Sequence, residues 1–264
     1  VTPFVPTAAR EVQLFLLALF RVGGLLLVAP IFGSRQVPQP VKLALALVLA
    51  GGLTPALASR PFQPARDLPT LAAWIAAETA VGVLLGYAAR LVFSAIGMAG
   101  EFMGLQMGFG VVSTIDPQFA GQASVMAQFL DLFTILVFLA LDGHHLFVQA
   151  IWGSFAMIPL GGFAPGGRLF GALLTTFTAT FVTAIKLAAP VTVAAFLVNV
   201  ALAFVARVVP QMNVFVVAMP LTIGVGLLTL MAALAFLASA GGGVFRGIGT
   251  SMEGILRTVG HGVR

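Results

Sequence analysis

His144 and His145 set two imidazoles side by side in the sequence. That donor set makes metal binding the first chemistry to test. Adjacent positions on a helix do not face each other, and no third ligand follows at the usual spacing. The group therefore reads as a tight turn with Asp142 as N-cap of the next helix, and no metal is expected. His261 stands alone in the C-terminal tail. Phosphate loops of the GxxxxGK[ST] type, GxSxG, HExxH and paired-carboxylate motifs do not occur. Cys is absent, which removes disulfides, thiolate metal sites and a Cys nucleophile. The expectation is a protein with no enzymatic chemistry and no cofactor.

Charges inside apolar stretches are the next residues to ask about. They are Arg21, Glu78, Arg90, Glu101, Asp131, Lys186 and Arg207. A charge at mid-bilayer costs about 3 kcal/mol or more on insertion scales. Each must sit near a segment end, find a partner, or face water, and together they speak against a simple lipid-embedded bundle. We expect them to be buried charges that serve assembly.

Two of them share a face. At 100° per residue, Gly82, Gly86, Arg90, Ser94, Gly97, Glu101, Gly104 and Gly108 fall within an arc of roughly 120°. Most large neighbours, including Leu84, Leu85, Leu91, Met98 and Phe102, lie outside it, with Phe93 the exception. Small residues at this spacing let another helix approach closely. Arg90 and Glu101 are about three turns apart, roughly 16 Å, so each needs a partner on another element. The face is either a packed helix interface or the lining of a pathway.

Residues 108–117 break the long stretch that carries this face. Gly108 and Gly110 open backbone angles closed to other residues, and Asp116 before Pro117 favours a turn. Phe109, Val111 and Val112 supply apolar bulk, with Ser113 and Thr114 between them and the turn. Hydrophobic constrictions can gate a pore by excluding water. The segment therefore reads as a channel plug or gating loop.

The elements that position these residues are helical and apolar. Stretches at about residues 12–29, 41–57, 71–107 and 123–141 are followed by one running from the Asp142 turn to about Pro159. A sixth, at about 169–209, is long enough for two hairpinned helices or one broken near Pro190, and the last covers about 214–240 with Pro220 inside. The third exceeds the roughly 20 residues a bilayer needs, so it must tilt, bend or leave the membrane. Arg10 and Glu11 precede the first stretch, which reads as a membrane helix rather than a cleavable signal. Continuous runs exclude the alternating strands of a β-barrel. A Gly run at residues 241–243 divides a helical domain over 1–240 from a short basic tail over 241–264. Val244, Ile248, Met252, Ile255 and Val259 give that tail helical spacing; it is an interfacial amphipathic helix or a frayed terminus.

Composition agrees. The 264 residues are 60% hydrophobic and 8% charged, with a mean hydropathy of +1.10. An ordinary soluble domain carries about 25% charged residues. The net charge of +5 comes from scattered Lys and Arg, which read as membrane-surface anchors and not as a nucleic-acid site. Arg35 and Lys42 in one loop balance Arg60 and Arg66 in the next, so charge bias does not set the orientation.

The chain resembles the FliR family of flagellar biosynthetic proteins of the type III export gate. The resemblance rests on an ordered set: Arg21-Val22-Gly23 with Pro30 and Gly33; Gly104-Leu105-Gln106-Met107-Gly108-Phe109; and Ile115-Asp116-Pro117-Gln118. It continues through Leu141-Asp142-Gly143-His144-His145, Ser154-Phe155 to Pro159-Leu160, and Pro210-Gln211-Met212-Asn213-Val214-Phe215. Met107 stands where a smaller or Leu-like residue is the family's pattern. The resemblance implies an all-α membrane protein of bent and broken helical hairpins, with about six to eight apolar helical segments. It implies one copy joined to FliP- and FliQ-type subunits in a closed-ended channel, with FlhB- and FlhA-type export components beside it. It also implies a place in the flagellar basal body at the bacterial inner membrane, unfolded protein substrates, and a plug loop at 108–117. A small-solute transporter or channel subunit is the alternative, since broken helices and intramembrane charges suit one too.

Overall fold

The computed structural model describes residues 4–109, 124–163, 167–211 and 213–260. Its elements are helices: α1 (Phe4–Val28), α2 (Gln39–Ala58), α3 (Leu68–Gln106), α4 (Val125–Ala140), α5 (His144–Met157), α6 (Gly167–Val208) and α7 (Val214–Gly260). No strand occurs among the described residues. Among the described residues, five helices are long and apolar enough to cross a membrane, and α4 with α5 can supply a sixth span. In hydrocarbon every backbone N–H and C=O must bond within the chain, and a helix meets that demand by itself. The protein is an all-α membrane protein.

Helix ends follow local chemistry. The Asp67 carboxylate accepts from Thr70 N at 2.7 Å and its carbonyl from Leu71 N at 3.2 Å, so it starts α3. The Thr70 bonds hold the Asp67 carboxyl below its usual range. Ser124 caps α4 by accepting from Ala127 N at 3.1 Å. After α1, Ile31 has φ 71° and Phe32 N reaches Pro30 O at 2.9 Å, a three-residue turn that a β-branched residue rarely adopts. Gly33 then packs so closely that a Cβ there would lie 2.6 Å from Leu27 O.

Two expectations change. The sixth stretch is one continuous helix through Pro190, not a hairpin or a broken pair. Pro190 offers no N–H to the Lys186 carbonyl, but one missing bond does not end a helix whose flanking turns remain paired. Likewise α7 runs through Gly241, Gly242 and Gly243 to Gly260, so those glycines lie inside a helix. Met252 and Leu256, in its last turns, are buried.

The chain forms two compact units. Unit 1 comprises Val1–Leu91, Asp142–Thr176 and Arg246–Arg264; unit 2 comprises Val92–Leu141 and Phe177–Phe245. Helix α3 contributes to both. Unit 2 has a core of Ile96, Ala99, Met103, Met107, Met126, Leu130, Ala188, Val191 and Leu230.

Candidate functional site

The small-residue face of α3 packs against helices of the same chain. In unit 1 it receives α1: a Cβ on Gly82 would fall inside the Arg21 carbonyl oxygen, and one on Gly86 would lie 2.8 Å from Leu25 O. Gly24 of α1 makes the reciprocal contact, 2.6 Å from Thr79 O. In unit 2 the face receives α4, where Cβ atoms on Gly97, Gly100 and Gly104 would meet Asp131 Oδ1 at 2.9 Å, Ala127 Cα at 2.6 Å and Ser124 Oγ at 2.9 Å. Phe93 lies edge-on to Phe138 with ring centroids 5.3 Å apart. Of the two readings of this face, close helix packing is the one seen among the described residues.

The buried charges divide. Arg21 and Glu78 are both 0% exposed and form an ion pair through Nε and Oε2. Arg21 also donates to Ser154 Oγ at 3.1 Å and Ile158 O at 3.0 Å, and lies 4.1 Å from the centroid of the Phe155 ring. Glu78 Oε1 accepts from Gly161 N at 3.0 Å. Gly161 sits at φ 72°, and a Cβ there would be 2.8 Å from the Trp74 ring. One ion pair thus ties α1, α3, α5 and the loop after α5 together inside unit 1. A cation that would be prohibitive alone is tolerated because most of its donors are used. With no exposure, the pair can hold segments but cannot reach a solute.

Arg90, Asp131, Lys186 and Arg207 lie exposed on this chain, and Glu101 is half-buried. Arg90 has no hydrogen-bonding or charged partner among the described residues. Glu101 Oε1 accepts from Ser124 N at 2.9 Å, so it anchors the start of α4 to α3. Basic residues expected at the membrane surface also serve the backbone. Arg10 donates to Ala58 O at 2.9 Å and Arg60 O at 3.0 Å, Arg60 to Phe155 O at 2.7 Å, and the buried Lys42 to Ser34 O at 2.9 Å. Cations at helix C-terminal carbonyls are favoured by the helix dipole as well as by the bonds.

The end of α3 carries the expected gating loop. Gly108 turns the chain at φ 89°, and Phe109 N bonds back to Gly104 O at 2.9 Å, which closes the helix. Phe109 packs against the unit 2 core. Beneath it Met107 is seated on α7: a Cβ on Gly226 would lie 2.6 Å from Met107 Cγ. Gly110, Val111, Val112, Ser113, Thr114, Asp116 and Pro117 lie outside the described residues. The return point is fixed, because Ser124 is held by Glu101 and lies against Gly104.

The Asp142 turn differs from the expectation. Asp142 adopts a left-handed conformation at φ 53°, and Gly143 takes the N-cap position without a side-chain cap bond. Only the Asp142 main chain serves the helix, its carbonyl accepting from His145 N at 3.0 Å. With its carboxylate freed from capping, Asp142 offers a ligand atom within 4.8 Å of one from each of His144 and His145. The two rings also lie together, centroids 4.3 Å apart.

Sequence reasoning missed Gly24, Gly226 and the Ser154, Ile158 and Gly161 partners of the ion pair. Glycine spacing flags a helix face, but only the fold says which residue opposes it.

Comparison with known proteins places these features in a family. Residues 12–248 match the family described as bacterial export proteins, family 1. The chain is 34% identical over 226 residues to a flagellar biosynthetic protein FliR of Escherichia coli (strain K12), covering 84% of each. It is 33% identical over 249 residues to a protein of that name from Bacillus subtilis (strain 168), covering 93% of this chain and 95% of the relative. Similarity extends to the Yop proteins translocation protein T of Yersinia pestis, 29% identical over 226 residues and covering 84% and 86%. Matched along nearly its whole length, the chain belongs to the bacterial export proteins, family 1.

Proposed function

We propose that this chain is a non-catalytic subunit of a flagellar type III export gate. In this reading it helps form the closed channel through which unfolded flagellar proteins cross the inner membrane. The observation that carries it is similarity to a flagellar biosynthetic protein over 93% of this chain and 95% of the relative. Residues 108–117 are the plug. Supporting this, Phe109 packs against an apolar core where α3 ends, and the chain is next described at Ser124, whose N–H is held by Glu101 of α3. FliP- and FliQ-type subunits cover the apolar side chains left open, such as Phe170, Leu174, Ile185, Phe196, Leu197 and Phe204 of α6, which are each more than half exposed on this chain. Large apolar side chains exposed in series along a helix mark lipid or protein contact. FlhB- and FlhA-type components supply the rest of the route.

Removing residues 109–113 is expected to leave the complex assembled while the membrane leaks ions and growth slows. Membrane conductance and recovery of the complex in mild detergent measure the two halves of that statement. Full assembly with a tight membrane would remove the plug assignment and leave the gate architecture. The gate reading itself is tested by expression. Alone, the chain is expected to be poorly recovered; with FliP- and FliQ-type partners it yields a stable complex, and a heat-stable monodisperse monomer would contradict the reading.

Arg90, Glu101, Asp131, Lys186 and Arg207 then serve assembly by meeting partners on other subunits or, for Glu101, on α4. Replacing Arg90 with Ala is expected to lower the yield of complex, with export falling in proportion. Normal yield with blocked export would move Arg90 from scaffold to pathway.

A further inference from the structure

We propose that the turn at Asp142, His144 and His145 binds one transition-metal ion of borderline softness, of which zinc(II) is the type. One ligand atom from each of the three residues lies within 4.8 Å of the others. Zinc holds imidazole nitrogen and carboxylate oxygen at about 2.0–2.2 Å, so ligand atoms in a tetrahedral site lie roughly 3.4 Å apart. Binding requires the three side chains to rotate and close that difference.

Donor chemistry selects the ion. Two imidazoles and one carboxylate suit zinc, cobalt, nickel or copper(II), whereas magnesium and calcium prefer all-oxygen sites and copper(I) prefers sulfur. The protein has no Cys to compete for the metal.

Three further features favour this occupant. His144 Nδ1 is buried without a hydrogen-bond partner, and coordination is one way such an atom gains one. The two imidazoles already lie together, with ring centroids 4.3 Å apart. The positive end of α5 opposes any cation, which is why the carboxylate matters: Asp142 supplies the compensating charge. The left-handed backbone at Asp142 is what keeps its carboxylate out of the capping role. Three protein ligands leave a coordination position for water or a neighbouring group. The bound ion would fix the start of α5 in unit 1.

The experiment uses the full chain in detergent, together with the subunits that accompany it, purified through a tag without histidine. After stripping with chelator, zinc(II) is added, excess is removed, and retained metal is counted; cobalt(II) in its place reports coordination through its visible absorption. We expect one zinc per chain and a tetrahedral-type cobalt spectrum. His145→Gln removes a ligand at an exposed position, and Asp142→Asn removes the carboxylate while tolerating the left-handed backbone. Loss of a supporting group alone weakens metal sites 10–100-fold, so each variant is expected to bind at least about a hundredfold more weakly. No retained zinc in the unaltered chain, or variants that retain zinc as the unaltered chain does, would overturn the proposal. Either result leaves the export-gate reading untouched.

Discussion

Replacing Glu78 with Ala is expected to prevent recovery of a stable complex. The change strands the Arg21 guanidinium, which has no exposed surface through which to regain water, and frees Gly161 N from its acceptor. Breaking a buried pair from one side typically costs about 3–5 kcal/mol, a large share of the 5–15 kcal/mol that holds an ordinary domain. Arg21→Ala is expected to be nearly as harmful, because Ser154 and the Ile158 carbonyl lose a partner together with Glu78. The informative variant is the double one. Arg21→Met with Glu78→Leu removes both charges and keeps apolar volume, and such exchanges are often neutral. Melting temperature of the detergent-purified complex should rank wild type above the double variant, and the double variant above either single one. A Glu78→Ala complex that melts with the wild type would show that the pair is not what holds α1, α3 and α5 together.

Second in size is the effect of one methyl group at Gly82. An alanine there would drive its Cβ into the Arg21 carbonyl, with Leu25 N only 2.9 Å away. Backbone cannot swing aside as a side chain can, so α1 must separate from α3, and every contact from Gly24 to Gly86 loosens with it. Overpacking typically costs 1–3 kcal/mol, and a collision with backbone places Gly82→Ala at about the upper end. Gly51→Ala is the control. It lies within α2 with nothing within 4 Å of the added methyl, and Ala is a better helix former than Gly by about 1 kcal/mol. Thermal unfolding should therefore fall for Gly82→Ala and hold or rise for Gly51→Ala. Equal behaviour of the two would mean that α1 and α3 are not as close as described.

Much of this was legible in the residues because hydrocarbon leaves few choices. Continuous apolar runs gave helix positions to within a few residues for α2 and α4, and Pro and Gly located the turns between them. The stripe from Gly82 to Gly104 announced a close contact but not its occupant. It proved to be α1 for the first half and α4 for the second, a division no spacing reveals. Arg21 and Glu78 announced that each needed a partner, yet they are 57 residues apart and their pairing depends on α1 reaching α3. Pro190 misled because the rule against Pro in helices describes a local loss, while continuity of α6 depends on all its other turns. At the Asp142 turn, capping preference pointed to the side chain, and backbone conformation decided otherwise.

The ion pair also sets a timetable for biogenesis. Arg21 is made 57 residues before Glu78 and 137 residues before Ile158. At about 5–20 residues per second, the guanidinium waits roughly 3–11 s for its carboxylate and about 7–27 s for its last carbonyl. During that interval α1 carries an uncompensated cation, which costs about 3 kcal/mol or more wherever it lies at mid-bilayer. That cost is relieved only once α3 has brought Glu78. Arg21 is therefore made before α3 and α5 and gains its full set of partners only after both.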